Sequence, residues 1–270
     1  DALLATNTSS IPLEELTETL ARPERLVGLH FFNPVALMQL VEIVNGKATA
    51  AEVSGKAMAF TRQIDRLPLP VTSTPGFLVN RILMPYLMEA VVLESEGIPA
   101  VIIDKAATDF GMPMGPVELA DTVGLDICLH VAGILAEHFN AEIPERLQKL
   151  VAAGHLGKKS GRGFYTFIKG KPIKPKAGGG NWNLEEITNR LILRMLNEAV
   201  SCLREEVVES RELLDAGMIF GTGFAPFRGG PAHHIDAVGA TRLLTQLNEL
   251  KQLRGERFNP DSGWDSLFNQ

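Results

Sequence analysis

Residues 26–44 read LVGLHFFNPVALMQLVEIV and decide the class of the N-terminal part of the chain. Two apolar runs, residues 26–32 and 40–44, have the length and the Val, Ile and Phe content of strands. Asn33 and Pro34 follow the first run and end it, because proline restricts the residue before it and cannot donate a ladder hydrogen bond. The stretch therefore predicts a strand, a turn and a second strand.

Further strand-like and helix-like runs surround this pair. Residues 3–6 and 68–74 read as extended chain, whereas 13–21 and 49–64 read as helices. Pro12 can open the first helix, since the amide hydrogen that it lacks has no partner in a first turn. The order strand, helix, strand, strand, helix, strand predicts an α/β segment.

Beyond residue 75 the pattern is that of long helices, and it occurs twice. The matching groups are separated by 109 to 115 positions. They are Asn80-Arg81 with Asn189-Arg190, Glu89 with Glu198, Asp104 with Asp215, Gly115-Pro116 with Gly230-Pro231, and Asp121 with Asp236. Residues 169–181 lie between the copies, are rich in Lys, Pro and Gly, and read as a linker. We expect a duplicated helical unit over residues 75–168 and 182–270.

Composition excludes several classes of protein. With 45% hydrophobic and 21% charged residues, the 270-residue chain can bury enough apolar surface to fold. Its net charge of −6 argues against broad attraction to nucleic acid or anionic lipid. The cysteines, Cys128 and Cys202, lie in apolar helical runs, and we predict buried thiols with no disulfide and no metal site.

No membrane span or signal peptide is expected. The longest apolar stretch, from Ile82, is interrupted by Pro85 and Glu89, well short of the roughly 20 residues that a span needs. The opening DALLATNTSS has neither Met nor a basic leader, and we expect Asp1 to lie inside a longer polypeptide. These features suit a bacterial cytoplasm, with an organelle matrix as the alternative.

Four residues form a candidate site. If the two central strands pair antiparallel, the His30 imidazole can approach the Glu42 carboxylate, which would fix its tautomer and stabilise the imidazolium, as a general base requires. A His–Glu pair also occurs in purely structural roles, so both interpretations stay open. Ser9 and Asn80 flank this region as neutral hydrogen-bonding groups, although each could instead cap or line a helix. The combination suits removal of a hydroxyl proton while a hydride leaves the same carbon.

Several motifs carry a family resemblance. They are NTSS (7–10), LHFFNP (29–34), LVEIV around Glu42, TPGFLVNR (74–81), PMGPVELAD (113–121) and GKKSGRGFY (157–165). In this order and spacing they resemble those of L-3-hydroxyacyl-CoA dehydrogenases. The second helical copy, with GTGFAPFRGGP (221–231), resembles the C-terminal repeat of multifunctional fatty-acid β-oxidation enzymes of the fatty oxidation complex α-subunit type.

The resemblance implies a reaction and roles for the site residues. His30 would be the general base that takes the 3-hydroxyl proton of an L-3-hydroxyacyl-CoA, and Glu42 would orient it. Ser9 and Asn80 would hold the substrate oxygens. A hydride would pass to NAD, and 3-oxoacyl-CoA would form. The partners implied are the acyl-CoA substrate and either a second copy of the chain or a thiolase-type subunit.

The resemblance also implies cofactor contacts, from Ser9, Asn33 and Lys159. Lys159 could instead lie at a domain seam or be a solvated lysine on a turn. No G-x-G-x-x-G occurs in a strand–turn–helix setting, although such a turn binds the NAD pyrophosphate in this family. We therefore expect a mainly α protein with an N-terminal α/β remnant of a Rossmann-type domain over residues 1–74. The missing N-terminal NAD-binding segment would belong to the same parent chain, and the 270 residues alone would bind NAD weakly and be inactive.

Two other interpretations remain. The chain could be a non-catalytic helical module for dimerisation or docking, in which the His30–Glu42 pair is inert. It could also be a stand-alone short-chain hydroxybutyryl-CoA dehydrogenase, which the second helical copy disfavours. The sequence leaves open the acyl chain length and whether a hydratase or isomerase lies upstream.

Overall fold

The computed structural model describes residues 2–9, 11–139, 142–176 and 180–268. The strands are β1 (Leu4–Thr6), β2 (Leu26–Phe31), β3 (Leu40–Asn45), β4 (Leu67–Thr72), β5 (Thr166–Ile168) and β6 (Lys171–Ile173). The helices are α1 (Leu13–Thr17), α2 (Ala51–Gln63), α3 (Val79–Ser95), α4 (Ala100–Phe110), α5 (Pro116–Val123), α6 (Leu125–Phe139), α7 (Glu145–Ala152), α8 (Leu184–Arg204), α9 (Arg211–Thr222), α10 (Pro231–Val238), α11 (Ala240–Arg254) and α12 (Gly263–Leu267).

The first four strands form one sheet in the order β1-β2-β3-β4. The pairs β1/β2 and β3/β4 are parallel, whereas β2/β3 is antiparallel. Apolar side chains of β2 and β3 pack with Ala57 of α2 on one face. Because side chains alternate along a strand, His30 and Glu42 point to the other face, and they are direct cross-strand partners. The sheet therefore brings the two candidate residues together.

The expected fold class, mainly α with an α/β remnant, is wrong. Residues 4–72 form a four-stranded sheet that contains two parallel pairs, and the residues of β2 and β3 are buried apart from the last of each strand. The error came from treating the absence of a glycine-rich turn as the absence of the domain. Strand pairing and the burial of apolar faces form the sheet, and neither requires that turn.

Contacts divide the chain into two compact units. The first comprises Asp1–Arg81, Ala199–Ala237 and Ser262–Gln270, and the second comprises Ile82–Glu198 and Val238–Asp261. The first unit therefore contains the sheet together with α9, α10 and α12.

The domain boundaries at 1–74, 75–168 and 182–270 stay a prediction. The segment predicted as a linker, 169–181, includes β6, and its residues 177–179 lie outside the described part of the chain. β6 pairs antiparallel with β5.

Equivalent aspartates cap equivalent helices in the two copies of the repeat. In the second unit, Asp104 Oδ1 accepts the Val117 N–H at 2.8 Å, at the start of α5. In the first unit, Asp215 accepts the Ala232 and His233 N–H groups at 2.7 and 3.0 Å, at the start of α10. Each helix begins at the proline of a Gly-Pro pair, so both copies join an aspartate, a glycine and a helix N-terminus in the same way.

Ion pairs also correspond between the copies. Arg81 Nη1 lies 2.7 Å from Glu205 Oε2, and Arg190 Nη1 lies 2.5 Å from Glu96 Oε2. The two arginines are 109 positions apart in sequence, and so are the two glutamates. An arginine of each copy therefore pairs with a glutamate of the other.

The apolar helices α5 and α6 bury much of their surface. None of the described helices is, on its own, long and apolar enough to cross a membrane, and the α5–α6 pair meets that test only jointly, with a 99° bend between them. Within α6, burial raises the pKa of the Cys128 thiol to about 12. The thiol therefore stays protonated and packs as a small apolar group.

Candidate active site

The His30 and Glu42 side chains form a buried pair. His30 Nδ1 lies 2.6 Å from Glu42 Oε2, and the two residues are 5% and 0% exposed. Their positions follow from the antiparallel register, which sets opposite side chains close together. A hydrogen bond this short between an imidazole and a carboxyl group is among the stronger kinds in proteins.

The second oxygen of Glu42 is held by the start of α3. Oε1 accepts the N–H of Leu78 at 3.1 Å and that of Val79 at 2.9 Å. The first N–H groups of a helix have no partner within it, so they are free to bind a carboxylate. These bonds compensate for the burial of Glu42 and leave Oε2 directed at His30.

Two aromatic rings enclose the imidazole. The Phe32 ring centroid lies 4.5 Å from that of His30, and the Phe77 centroid lies 5.6 Å away, with the two rings inclined by 60° in a T-shaped arrangement. Among the described residues, only Glu42 forms a hydrogen bond with the His30 imidazole. In the tautomer in which Nδ1–H donates to Glu42, Nε2 has a lone pair that can accept a proton.

Ser9 and Asn80 lie together in the same unit as the pair. Asn80 Nδ2 donates to the Ser9 carbonyl oxygen at 3.1 Å. Asn80 belongs to the first turn of α3, next to the Leu78 and Val79 amides that hold Glu42. Ser9 lies in the loop after β1, so this hydrogen bond sets it beside the first turn of α3, the helix whose start holds Glu42.

The residues predicted to bind the cofactor divide into two groups. Ser9 and Asn33 are exposed and follow β1 and β2, whose parallel pairing brings their carboxyl ends to one edge of the sheet. This is the edge at which α/β sheets bind ligands. Lys159 lies in the other unit, where its Nζ is 2.5 Å from the Asp126 carboxylate, so its cofactor role stays a prediction.

Ser9 and Asn33 provide polar groups at this edge of the sheet, and their contact with an NAD nicotinamide stays a prediction. The helix after β1 is short and carries Glu14 and Glu15 in its first turn, which would repel a pyrophosphate. Residues 1–270 contain no glycine-rich turn of the G-x-G-x-x-G kind for that group.

Sequence reasoning missed the contacts that complete the site. The Phe77 ring and the amides of Leu78 and Val79 were not predicted to touch His30 or Glu42. A signal was present, because Thr74-Pro75-Gly76 marks a tight turn directly before a helix, where free N–H groups occur.

Comparison with known proteins gives matches along the chain. The family model described as 3-hydroxyacyl-CoA dehydrogenase, NAD binding domain, matches residues 1–74, and the model of the C-terminal domain of the same enzymes matches residues 76–167. The first match gives a second reason to reject the remnant interpretation of residues 1–74. These residues are similar to an NAD-binding domain, and the segment from residue 76 is similar to the helical domain that follows it.

Individual relatives are similar over nearly all of the chain. A fatty acid oxidation complex subunit alpha of Idiomarina loihiensis is 37% identical over 97% of the chain and 40% of its own length. A solved 3-hydroxybutyryl-CoA dehydrogenase of Escherichia coli K12 has a TM-score of 0.84 and 28% identity, over 98% of this chain and 74% of that one. The dehydrogenase part of multifunctional enzyme 1 from C. elegans has a TM-score of 0.67 and 26% identity, over 98% and 64%. The chain spans about 40% of the length of the curated relatives that it matches.

Proposed function

The chain belongs to the 3-hydroxyacyl-CoA dehydrogenase family, and from this premise we propose that it oxidises an L-3-hydroxyacyl-CoA to the 3-oxoacyl-CoA with NAD. The resemblance drawn from the motifs is confirmed. The observation that carries the proposal is the buried His30–Glu42 hydrogen bond of 2.6 Å, with Nε2 of His30 left without a protein partner among the described residues.

In this proposal His30 removes the hydroxyl proton. Nε2 accepts the proton from the 3-hydroxyl oxygen while the C–O bond becomes a C=O bond. The imidazolium that forms is stabilised by Glu42, whose charge is held in place by the Leu78 and Val79 amides. NAD, when bound, accepts the hydride that leaves the same carbon.

Ser9 and Asn80 would orient the substrate. Both are polar and neutral, so they can hydrogen-bond a hydroxyl or carbonyl oxygen without competing with His30 for the proton. Their mutual contact keeps the two groups at one end of α3. The rings of Phe32 and Phe77 lie against the imidazole, which is 5% exposed, and would limit its access to water.

The setting of this activity is also a proposal. Since the relatives are named as subunits of a fatty acid oxidation complex, we propose a role in β-oxidation in the bacterial cytoplasm, with a second subunit or a second copy as partner. We further propose that residues 1–270 alone turn over slowly, because their sequence offers no glycine-rich turn to the cofactor pyrophosphate.

Replacing His30 tests the proposed reaction. In the intact protein, His30→Gln should lower kcat for 3-hydroxyacyl-CoA oxidation about 10²- to 10⁴-fold, the usual contribution of a general base. The measurement is the rate of NADH formation at saturating substrate. A polypeptide of residues 1–270 is measured in parallel, and it should turn over more slowly than the intact protein.

His130→Gln is the matched control, since His130 is exposed on α6 in the other unit and should not affect turnover. Unchanged kcat in His30→Gln would favour the non-catalytic docking module instead.

A further inference from the structure

Phe77 has a backbone conformation that is unfavourable for its residue type. Its φ angle is +51°, in the left-handed region, where the Cβ of a non-glycine residue comes too close to its own backbone. Asp65, Lys169 and Glu206 also have positive φ, but they are exposed, whereas Phe77 is 0% exposed. A bulky buried residue in this region is uncommon and persists only where its surroundings fix it.

The backbone conformation of Phe77 sets the direction of the next two backbone N–H groups. The turn closes with the Phe77 N–H donating to the Thr74 carbonyl oxygen at 3.0 Å. The chain then enters α3, and the N–H groups of Leu78 and Val79 both reach Glu42 Oε1. Oε1 is occupied in this way, so Oε2 is the oxygen that faces His30.

The side chain of Phe77 acts on the other member of the pair. Its ring and the imidazole form a T-shaped pair with centroids 5.6 Å apart, an arrangement that aromatic rings prefer. Glycine would adopt the same backbone angle without strain, but it would provide no ring. One residue therefore contacts His30 through its ring and directs the amides that hold Glu42.

We propose that Phe77 is a positioning residue that fixes the His30 imidazole in the plane required for its hydrogen bond to Glu42. Its kinetic consequence rests on the proposed function, whereas its effect on the hydrogen bond does not. Since Phe77 is completely buried, it would act through His30, and its loss should lower kcat while leaving KM for the acyl-CoA unchanged.

Phe77→Leu tests the ring separately from the buried volume. Leucine fills most of the space and keeps the left-handed strain, but it lacks the aromatic edge. Phe77→Met, which is also apolar and has no ring, is the second variant in case the first unfolds. Phe60→Leu is the control, because Phe60 is 47% exposed on α2.

Two measurements read out the effect. Proton NMR should show the His30 Nδ1–H of the wild type far downfield and in slow exchange, as expected of a short, buried hydrogen bond. In both variants this signal should move upfield and exchange faster, and kcat in the intact protein should fall about tenfold, the upper range for one aromatic contact. KM should stay within about twofold.

The outcomes separate the two proposals. A wild-type Nδ1–H signal and wild-type kcat in both variants would overturn the positioning role, and so would an effect on KM alone. If the signal moves as expected but the wild type oxidises no 3-hydroxyacyl-CoA, the positioning role stands and the proposed function fails.

Discussion

At the scale of single residues, the sequence predicts the central pair but not its supports. The two apolar runs around Asn33 and Pro34 were enough to predict neighbouring strands, and antiparallel pairing then sets His30 beside Glu42. The amides of Leu78 and Val79 lie 36 and 37 positions from Glu42. Such contacts depend on how the turn before α3 closes over the sheet, which no local pattern determines.

Glu42→Gln tests the role of the charge. A glutamine amide in place of Oε2 would donate to Nδ1, so the proton of the neutral imidazole would move to Nε2, where it blocks proton transfer. We expect kcat of the intact protein to fall by the order of 10³–10⁴, as for other bases in the wrong tautomer.

Glu249→Gln is the control for this change, since Glu249 is exposed on α11. A Glu42→Gln protein that keeps more than about a tenth of wild-type kcat would show that the charge does not support the base.

At the scale of elements, the internal repeat is visible in the sequence because its polar residues form hydrogen bonds and ion pairs that hold the helices. Asp104 and Asp215 each cap a helix that begins with Gly-Pro. The ion pair between Arg81 of the first copy and Glu205 of the second could not be predicted, because spacing along a chain does not say which copy an arginine will contact.

Gly115→Ala tests the cap. A Cβ at Gly115 would lie 2.2 Å from Asp104 Cβ and 2.3 Å from its Oδ1, so the aspartate must move away from the Val117 amide. We expect a loss of about 1–3 kcal/mol in the free energy of unfolding, as for other overpacked sites, measured by urea denaturation.

Gly133→Ala is the matched control on α6, where a Cβ meets nothing within 4 Å. Alanine favours the helix, so this variant should gain up to about 1 kcal/mol. Equal stability of the two variants would mean that the aspartate cap tolerates displacement.

At the scale of the whole molecule, the fold class shows where sequence reasoning fails. The strand and helix pattern of residues 1–74 was read correctly in outline, but the missing glycine-rich turn was given more weight than the pattern. That turn binds a phosphate group and contributes little to the sheet. The absence of a phosphate-binding motif therefore says little about whether the sheet forms.

Buried carboxyl groups should make stability depend on pH. Burial raises the pKa of Asp104 and of Asp121 from 3.8 to about 6. Between about pH 4 and about pH 6 the folded protein keeps protons that the unfolded chain releases. The stabilisation that these protonated aspartates give is therefore complete below about pH 4 and is lost as the pH rises through about 6. Burial lowers the pKa of His234 to about 4, and its contribution is lost as the pH falls through that value.

Asp104→Asn isolates one of these groups. The asparagine can still accept the Val117 N–H and bond to the Tyr165 hydroxyl, but it does not titrate. Urea denaturation at several pH values should therefore show a smaller fall in the free energy of unfolding between about pH 4 and about pH 7 than in the wild type. Parallel curves for the two proteins would contradict the raised pKa.

In the proposed reaction Glu42 acts through His30, and a double-mutant cycle tests this dependence. The measurement is kcat for 3-hydroxyacyl-CoA oxidation by the intact wild type, His30→Gln, Glu42→Gln and the protein with both changes. We predict that the double variant is no slower than His30→Gln, because an acid without its base has nothing to orient. Losses that multiply in the double variant would show that the two residues act independently, and the account would be wrong.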